Sequence, residues 1–353
     1  MRDMPPSISM CPMKVRSLLA DWNSKTNNLK SQIMKRHLLL MAVFSMVGTI
    51  LPSRAEEAGS GHYSPGQMAS FIDALPGYPT IALVNYFTYY SGDVGGGRSL
   101  PLGGNVAAGV KATAYIDTVG MIYESPLRLL GGNYAAGLAI PFGSMTVKGN
   151  ITHTGALGRS REGQVSDTSS GLADTIIYPF MVGWTNGPDF KYDVRLGIYA
   201  PSGDYEKGAL ANLGKNYWTF EPGLSFSWLS SKIGTEVSLF TGVDFNTKNE
   251  ATDYLTGTQF HLDATVAQHL PLFGGFIGVG ANAFYYQQIT GDSGSGAVLG
   301  DFEGRTIGVG PAVSYLHKIG KTSLVGELKW LPELDVQSRM EGDWIWFKLA
   351  LLF

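Results

Sequence analysis

The stretch DWIWFKLALLF, residues 343–353, ends the chain. At the two-residue period of a β-strand, alternate side chains point to opposite faces. One face is wholly apolar and carries Ile345, Phe347, Leu349, Leu351 and Phe353, while the other mixes Trp344, Trp346, Lys348, Ala350 and Leu352. A strand of this kind that ends on an aromatic residue is typical of the last strand of a membrane-spanning β-barrel. A C-terminal strand of a soluble β-sandwich is the alternative that the rest of the chain has to exclude.

The only long apolar stretch lies near the N-terminus, at residues 38–51, after Lys35-Arg36-His37 and before Pro52-Ser53-Arg54-Ala55. A basic start, an apolar stretch of this length and small residues at its end predict a secretory signal peptide cleaved after Ala55. The stretch is short for a transmembrane helix, which needs about 20 apolar residues. Residues 1–33 match no targeting pattern, so Met34 is a candidate initiator.

The composition argues against several classes of function. Removal of residues 1–55 takes away eight of the 26 Lys and Arg residues and two of the 29 Asp and Glu residues, which leaves 18 basic and 27 acidic residues and a net charge of −9. A chain of this charge offers no basic surface for nucleic acid. Cys11, the sole cysteine, leaves with the same segment, so we expect no disulfide, thiolate metal site or cysteine nucleophile.

From residue 80 onward, alternating or apolar runs separated by turn residues predict twelve strands. We place them at residues 80–92, 106–122, 132–153, 172–184, 190–200, 216–228, 233–246, 258–269, 275–289, 304–317, 322–331 and 343–353. Long connections, among them 93–105, 154–171 and 332–342, alternate with short ones. Membrane barrels combine an even strand count with this alternation. The sequence therefore predicts an all-β fold over residues 80–353, a transmembrane antiparallel up-and-down β-barrel of 12 strands.

Charged and polar residues share one face of several predicted strands. In the strand at 216–228, Glu221 and Ser225 lie on one face, and Phe220 and Leu224 lie on the other. A basic side chain facing lipid at mid-bilayer costs about 2–4 kcal/mol, so we expect the polar face to line the lumen. The predicted lumen-lining residues are Lys191, Arg195, Tyr199, Tyr217, Glu221, Glu236, Asp244, His261, Asp263, Phe284 and Tyr286. A soluble sheet with one wet face would separate its charges in the same way. The predicted strands 80–92 and 172–184 are apolar on both faces and cannot be oriented.

Residues 56–79 precede the first predicted strand and mix aromatic residues with turn residues, as in His62-Tyr63-Ser64-Pro65-Gly66. They form either a disordered periplasmic leader or a plug folded into the lumen. The second alternative arises because a twelve-stranded barrel is wide enough to need filling or to conduct.

The sequence shows no motif for catalysis, metal binding or cofactor binding. It contains no G-x-S-x-G, no P-loop and no zinc-type spacing of His and Cys, so we expect no cofactor and no metal site. His269 is predicted in a turn. His261 and Asp263 lie two residues apart on the inward face of one strand and could act together as a general base. A polar pair that lines the lumen is the simpler interpretation.

Several stretches resemble the outer-membrane family of meta-pathway phenol-degradation proteins. They include LPGYPTIALVNYFTYYSGD (75–93), LLGGNYAAGLAIP (129–141), LADTIIYPFMVGW (172–184), NLGKNYWTFEPGLSF (212–226) and YYQQITGDSG (285–294). The resemblance implies a twelve-stranded outer-membrane channel associated with uptake of aromatic or other hydrophobic small molecules. It implies no ligand-contact residue, since these stretches are signatures of strands and turns.

We therefore expect a channel in the outer membrane of a Gram-negative bacterium that admits small hydrophobic or aromatic molecules by passive diffusion. Further expected partners are outer-membrane lipid, lipopolysaccharide and the barrel-assembly machinery, but not nucleic acid. The residues that resemble an assembly signal are Phe347, Leu349, Leu351 and Phe353. Two alternatives remain open, namely a barrel enzyme that acts on lipids through His261 and Asp263, and a structural or adhesive barrel.

Overall fold

The structure, a computed structural model, describes residues 57–94, 99–102, 105–154, 160–299 and 303–353. The predicted signal peptide and its cleavage position lie outside these residues. Within the described part of the chain, no helix is long and apolar enough to cross a membrane.

Fourteen strands follow one another along the described part of the chain. They are β1 (Thr80–Asp93), β2 (Ser99–Leu102), β3 (Asn105–Leu129), β4 (Gly132–Thr154), β5 (Ser160–Leu172), β6 (Thr175–Asn186), β7 (Phe190–Ala200), β8 (Thr219–Leu229), β9 (Thr235–Asn246), β10 (Gln259–Leu272), β11 (Gly275–Gln288), β12 (Arg305–Ile319), β13 (Thr322–Gln337) and β14 (Glu341–Leu352). A single 3-10 turn, Glu57–Gly59, precedes them.

Twelve of these strands close into one antiparallel barrel. The first and last strands, β1 and β14, pair from Ala82 opposite Leu352 to Asp93 opposite Glu341. On its other side β1 pairs with β3, β3 with β4, β4 with β6, and each later strand with the next as far as β14. Closure removes the free edge, whose unpaired backbone groups would each cost several kcal/mol in lipid. The predicted twelve-stranded fold is confirmed.

The two remaining strands, β2 and β5, extend the wall beyond the barrel. β4 pairs with β6 only over residues 133–139, and from Phe142 onward it pairs with β5. The predicted long connections 93–105 and 154–171 therefore contain strands, and the predicted connection 332–342 is mostly strand because β13 continues to Gln337. Periodicity does not reveal β5, since its sequence SREGQVSDTSSGL is polar on both faces. Pairing with β4 makes it a strand.

Side chains alternate between buried and exposed positions along the barrel strands. In β14, Lys348 is buried whereas its neighbour Phe347 is 43% exposed. In β1, which the sequence alone could not orient, Val84 is buried and Leu83 is 44% exposed. The predicted assembly residues Phe347, Leu349, Leu351 and Phe353 share the outward face of β14 and the residue that follows it. In both strands the outward face is therefore mostly apolar.

The two ends of the barrel differ in the length of their connections. Thr80 and Phe353 meet at one end, where the Thr80 hydroxyl donates a hydrogen bond to the Phe353 carbonyl. This short-turn end carries the turns 130–131, 187–189, 230–234, 273–274 and 320–321. Each of these turns contains a glycine with positive φ, a conformation that other residues rarely adopt. The opposite, long-loop end carries the connections 201–218, 247–258 and 289–304.

A substitution at Val266 can test whether the outward face of β10 contacts lipid, because Val266 lies halfway along this strand and is 58% exposed. We expect V266R to lower the free energy of unfolding in lipid vesicles by about 2–4 kcal/mol, since it places a guanidinium in hydrocarbon. Equilibrium urea titration followed by tryptophan fluorescence measures this change. V298R is the matched control, because Val298 is 66% exposed in the connection between β11 and β12. Equal stability of the two variants would contradict a lipid-facing β10.

Candidate functional site

Residues 57–79, called the inner segment below, lie inside the barrel. Tyr63 packs against Phe240 of β9, and Leu75 packs against Met181 of β6. Apart from its single 3-10 turn, the inner segment has no regular secondary structure. Its backbone groups therefore need hydrogen-bond partners outside their own segment, and side chains of the barrel wall supply many of them.

Asp263 of β10 accepts three hydrogen bonds from the inner segment. Its carboxylate accepts from the Tyr63 hydroxyl, from the Met68 amide at 2.9 Å and from the Gly66 amide at 3.3 Å. Gly66 has a φ of +78°, and a Cβ atom at this position would lie 2.2 Å from Cδ1 of Leu331. Only glycine therefore allows the backbone to approach the wall this closely.

Two further carboxylates bind the inner segment on other strands. Glu236 of β9 accepts a hydrogen bond from the Phe71 amide at 2.7 Å, and Glu124 of β3 accepts one from the Gly77 amide at 3.1 Å. Hydrogen bonds to a charged acceptor contribute about 1.5–3 kcal/mol when buried. These contacts hold the part of the inner segment that leads to the short-turn end.

Buried cations of the wall bind the same segment from other directions. Lys348 lies 2.9 and 3.0 Å from the two carboxylate oxygens of Asp73, and Arg195 donates to the Asp73 carbonyl at 2.8 Å. Lys329 donates to two carbonyls of the inner segment at 3.0 and 3.3 Å. Glu327 lies 3.4 Å from both lysines and balances part of their charge. Since these charges are buried, each depends on its partners.

Near the long-loop end, the inner segment binds through His62 and Ser60. His62 Nε2 lies 2.8 Å from Asp174, and His62 Nδ1 lies 2.6 Å from the Thr219 hydroxyl. Lys215 donates to the carbonyl and the hydroxyl of Ser60. Burial lowers the pKa of the His62 imidazole, against the opposing effect of Asp174. Burial raises the pKa of Asp174, but hydrogen bonds from His62 and two backbone amides outweigh it and leave that pKa below its ordinary value.

A cavity of about 210 Å³ lies between the inner segment and the wall, towards the long-loop end. Residues 59–65 form one side of it, and residues 210–215 and 339–340 cover it. The wall contributes mostly apolar side chains, among them Tyr90, Val110, Ala112, Ala114, Met145, Val147, Ile176, Trp344 and Trp346. Ligand cavities are typically concave and mostly apolar with few polar groups, which describes this space.

The predicted lumen residues are buried or partly buried, but they contact different parts of the molecule. Ten are buried and Lys191 is partly buried; the ten are Arg195, Tyr199, Tyr217, Glu221, Glu236, Asp244, His261, Asp263, Phe284 and Tyr286. Of these eleven, Tyr199 lines the cavity. Arg195, Glu236 and Asp263 bind the inner segment instead, as described above.

His261 and Asp263 do not form the hydrogen-bonded pair considered from the sequence. The inner segment occupies Asp263, and neither imidazole nitrogen of His261 has a hydrogen-bond partner among the described residues. His269, predicted in a turn, lies within β10 because this strand continues to pair with β11 as far as Leu272. Its Nε2 lies 2.7 Å from Glu236.

The sequence did not identify the residues that line most of the cavity. They belong to β1, β3, β4 and β14, and the residues of these strands that line the cavity carry no charge. Trp344 and Trp346 lie on the inward face of the last strand, together with Lys348, and this shared face was the one available signal. The anchoring role of Lys348 and Lys329 was also missed, since their partners lie in the inner segment.

Comparison with known proteins agrees with this fold. Residues 92–349, well over half of the chain, match the protein family described as putative MetA-pathway of phenol degradation. Among solved structures, the COG4313 outer membrane channel from Pseudomonas putida F1 is similar, with a TM-score of 0.55 and 16% identity over 83% of this chain and 100% of that one. At this identity the likeness concerns the fold. No curated protein matches the chain.

Two further solved structures are similar at lower scores. The beta domain of the Bordetella autotransporter BrkA has a TM-score of 0.42 and 12% identity over 78% of this chain and 99% of that one. OccK7 (OpdD) of Pseudomonas aeruginosa has a TM-score of 0.22 and 8% identity over 78% of this chain and 98% of that one. Both scores are too low to support a structural argument.

Asp73 tests the anchoring of the inner segment. We expect D73N to lower the free energy of unfolding by about 3 kcal/mol, the lower end of the cost of breaking a buried ion pair. The lower end applies because Glu327 still lies 3.4 Å from Lys348. We also expect faster hydrogen exchange at the amides of Met68 and Phe71. Urea titration and mass-spectrometric hydrogen exchange measure the two effects.

D335N is the matched control for this change. Asp335 also forms an ion pair, with Arg305 at 2.6 Å, but its side chain is 52% exposed. Exposed pairs contribute roughly 0–1 kcal/mol, so D335N should change neither readout measurably. Unchanged exchange of the inner segment in D73N would show that Asp73 does not anchor it.

Proposed function

Since the chain belongs to the family described as putative MetA-pathway of phenol degradation, we propose that it is an outer-membrane channel for passive uptake of small hydrophobic or aromatic compounds. The observation that carries this proposal is the apolar cavity between the inner segment and the wall. It lies towards the long-loop end, which in outer-membrane barrels faces the outside of the cell.

The cavity supports a single-ring aromatic compound as cargo. Its volume is about 210 Å³, and an apolar cavity of roughly 150 Å³ is large enough to bind benzene. The rings of Tyr90 and Trp344 lie 4.3 Å apart between centroids, and those of Trp344 and Trp346 lie 5.8 Å apart. These rings offer an aromatic guest the offset or edge contacts that such pairs prefer.

We assign the inner segment the role of a plug. It runs from the long-loop end, where Ser60 binds Lys215, to the short-turn end, where Gly77 binds Glu124. Cargo that leaves the cavity towards the periplasm has to pass this segment. Passage then requires the plug to shift, and the buried ion pairs that hold it set the energy of that movement.

The predicted lumen residues have two roles in this proposal. Tyr199 contributes to the cavity, and the aromatic residues Tyr217, Phe284 and Tyr286 provide further contacts along the wall. Arg195, Glu236 and Asp263 hold the plug, and the charged residues together set the electric field of the lumen. Contacts with the cargo are weak and successive, because a tight site would not release it.

The remaining expectations concern export and assembly. We propose that residues 1–55 are removed as a signal peptide and that the outward face of the barrel contacts outer-membrane lipid and lipopolysaccharide. The apolar set that ends at Phe353 would serve as the signal for the barrel-assembly machinery. We assign no enzymatic activity, since Asp263, one half of the only pair considered for catalysis, already binds the plug.

Ala112 tests transport through the cavity, because it is 3% exposed and lines this space. We expect A112W to lower the influx of a radiolabelled phenol at least about fivefold, since inserted bulk of this kind costs roughly 1–3 kcal/mol. Influx is measured in vesicles with a lipopolysaccharide outer leaflet, because plain phospholipid passes small aromatic compounds unaided.

The control for bulk alone is A281W, at an exposed, outward position of β11. It should conduct like the wild type. Influx that is the same with wild-type protein and with empty vesicles would end the transport proposal. Equal influx through A112W and the wild type would show that cargo does not use this cavity.

The plug is tested by deletion of residues 57–75. We expect single-channel current in planar bilayers to increase severalfold, because the deletion leaves a water-filled lumen lined by charged residues. G66A provides a point variant for the case in which the deletion does not fold. Its added Cβ meets Leu331, so it should increase the frequency of channel opening.

G131A is the matched control for this point variant. Gly131 also has positive φ, +80°, but lies in a turn where an added Cβ contacts nothing within 4 Å. The G131A variant has the same backbone strain as G66A but does not displace the inner segment, so its current should equal that of the wild type. Wild-type conductance in both the deletion and G66A would exclude a plug.

A further inference from the structure

Three side chains from neighbouring strands converge on the wall beneath the inner segment. Glu221 of β8, Asp244 of β9 and His261 of β10 each offer a donor atom, and these atoms all lie within 4.8 Å of one another. All three residues are buried, with exposures of 2%, 0% and 0%. They are far apart in sequence, and the pairing of β8 with β9 and of β9 with β10 brings them together.

The His261 ring is held by packing and not by hydrogen bonds. It stacks on Tyr63 with a centroid distance of 3.6 Å, and Phe240 lies 5.6 Å away. It also lies over Gly242, where an added Cβ would come within 2.6 Å of the ring. The imidazole is thus fixed in place among its neighbours before any ligand binds.

Both nitrogens of this buried ring are without a hydrogen-bond partner among the described residues. Nε2 points towards Asp244 Oδ1 but lies 3.6 Å from it, which is too far for a hydrogen bond. Buried polar atoms are nearly always satisfied, so an exception of this kind needs a physical cause. A bound ion between His261 and the carboxylates would supply the missing partner.

The donor atoms of the cluster are also of the kinds that bind cations. Two carboxylates lie together in the barrel interior, and buried charges of this kind are usually paired or bound to a metal.

The geometry points to a binding site for one divalent first-row transition-metal ion, of the zinc or manganese class, at Glu221, Asp244 and His261. An imidazole with two carboxylates suits such ions better than calcium or magnesium, which prefer oxygen ligands alone. Ligand atoms lie roughly 2.0–2.2 Å from the ion, and therefore at most about 4.4 Å apart. Donors within 4.8 Å need only a small side-chain adjustment to reach this geometry.

The site adjoins both the cavity and the inner segment. Tyr199 lines the cavity and its hydroxyl donates to Glu221 at 2.7 Å, while Tyr63 lines the cavity and stacks on His261. Each of these two side chains contacts both the site and the cavity, so the two lie next to each other. The inference stands apart from the transport proposal, because metal content is measured without any transported compound.

The test uses tag-free full-length protein unfolded in urea with a chelator and refolded in detergent with Zn²⁺ or Mn²⁺. We expect about one equivalent of one of these ions per chain by mass spectrometry of the metal after gel filtration. H261Q and D244N should each weaken binding by more than about 100-fold, since loss of even an outer-shell partner costs roughly 10- to 100-fold. D244N is nearly isosteric, so it decides the question if H261Q does not fold.

H269Q is the matched control. His269 is also a buried, inward-facing histidine of β10, but it has its own partner in Glu236 at 2.7 Å. Its variant should bind the ion like the wild type. Absence of both ions from the refolded wild type would overturn the proposal, as would equal binding by the wild type and the folded H261Q or D244N proteins.

Discussion

Hydrogen bonding of the backbone in hydrocarbon is the constraint on which the rest of this structure depends. Lipid offers no partner to an N–H or C=O group, so a chain that crosses it as strands must close on itself. The pairing of β1 with β14 completes this closure. Once the cylinder is closed, every strand has one lipid-facing and one inward side. Phe347 then faces outward and Lys348 inward, although the two residues are adjacent.

The same requirement governs the interior, where the inner segment has no strand partners. Its amides and carbonyls are bound by side chains that the strands direct inward, such as Asp263, Glu236 and Lys329. The charged side chains of the wall thus provide hydrogen-bond partners for the backbone of the inner segment. Asp73 of that segment is in turn the partner of Lys348. The inner segment is therefore part of the packed interior, and the apolar cavity is the space that it leaves unfilled.

Tyr63 connects three features that are otherwise separate. It lines the cavity, its hydroxyl donates to Asp263, and its ring stacks on His261 beside the two carboxylates of the proposed metal site. A movement of the inner segment would change all three together. We therefore expect the proposed cargo passage, the anchoring of the inner segment and the environment of the proposed ion to be physically coupled, while each has its own readout.

The sequence by itself determined the wall of the barrel, because alternation is a local property of residues two apart. The inward position of Glu221 and the outward position of Phe347 could be assigned in this way, whereas β5, polar on both faces, could not. Only the tertiary structure decided which inward residues meet. Tyr63 and Asp263 are 200 positions apart and Asp73 and Lys348 are 275 apart, so their contacts depend on strand register and on the path of the inner segment. The convergence of Glu221, Asp244 and His261 also depends on strand register. The three residues lie on three different strands, so no spacing along a single strand predicts their meeting.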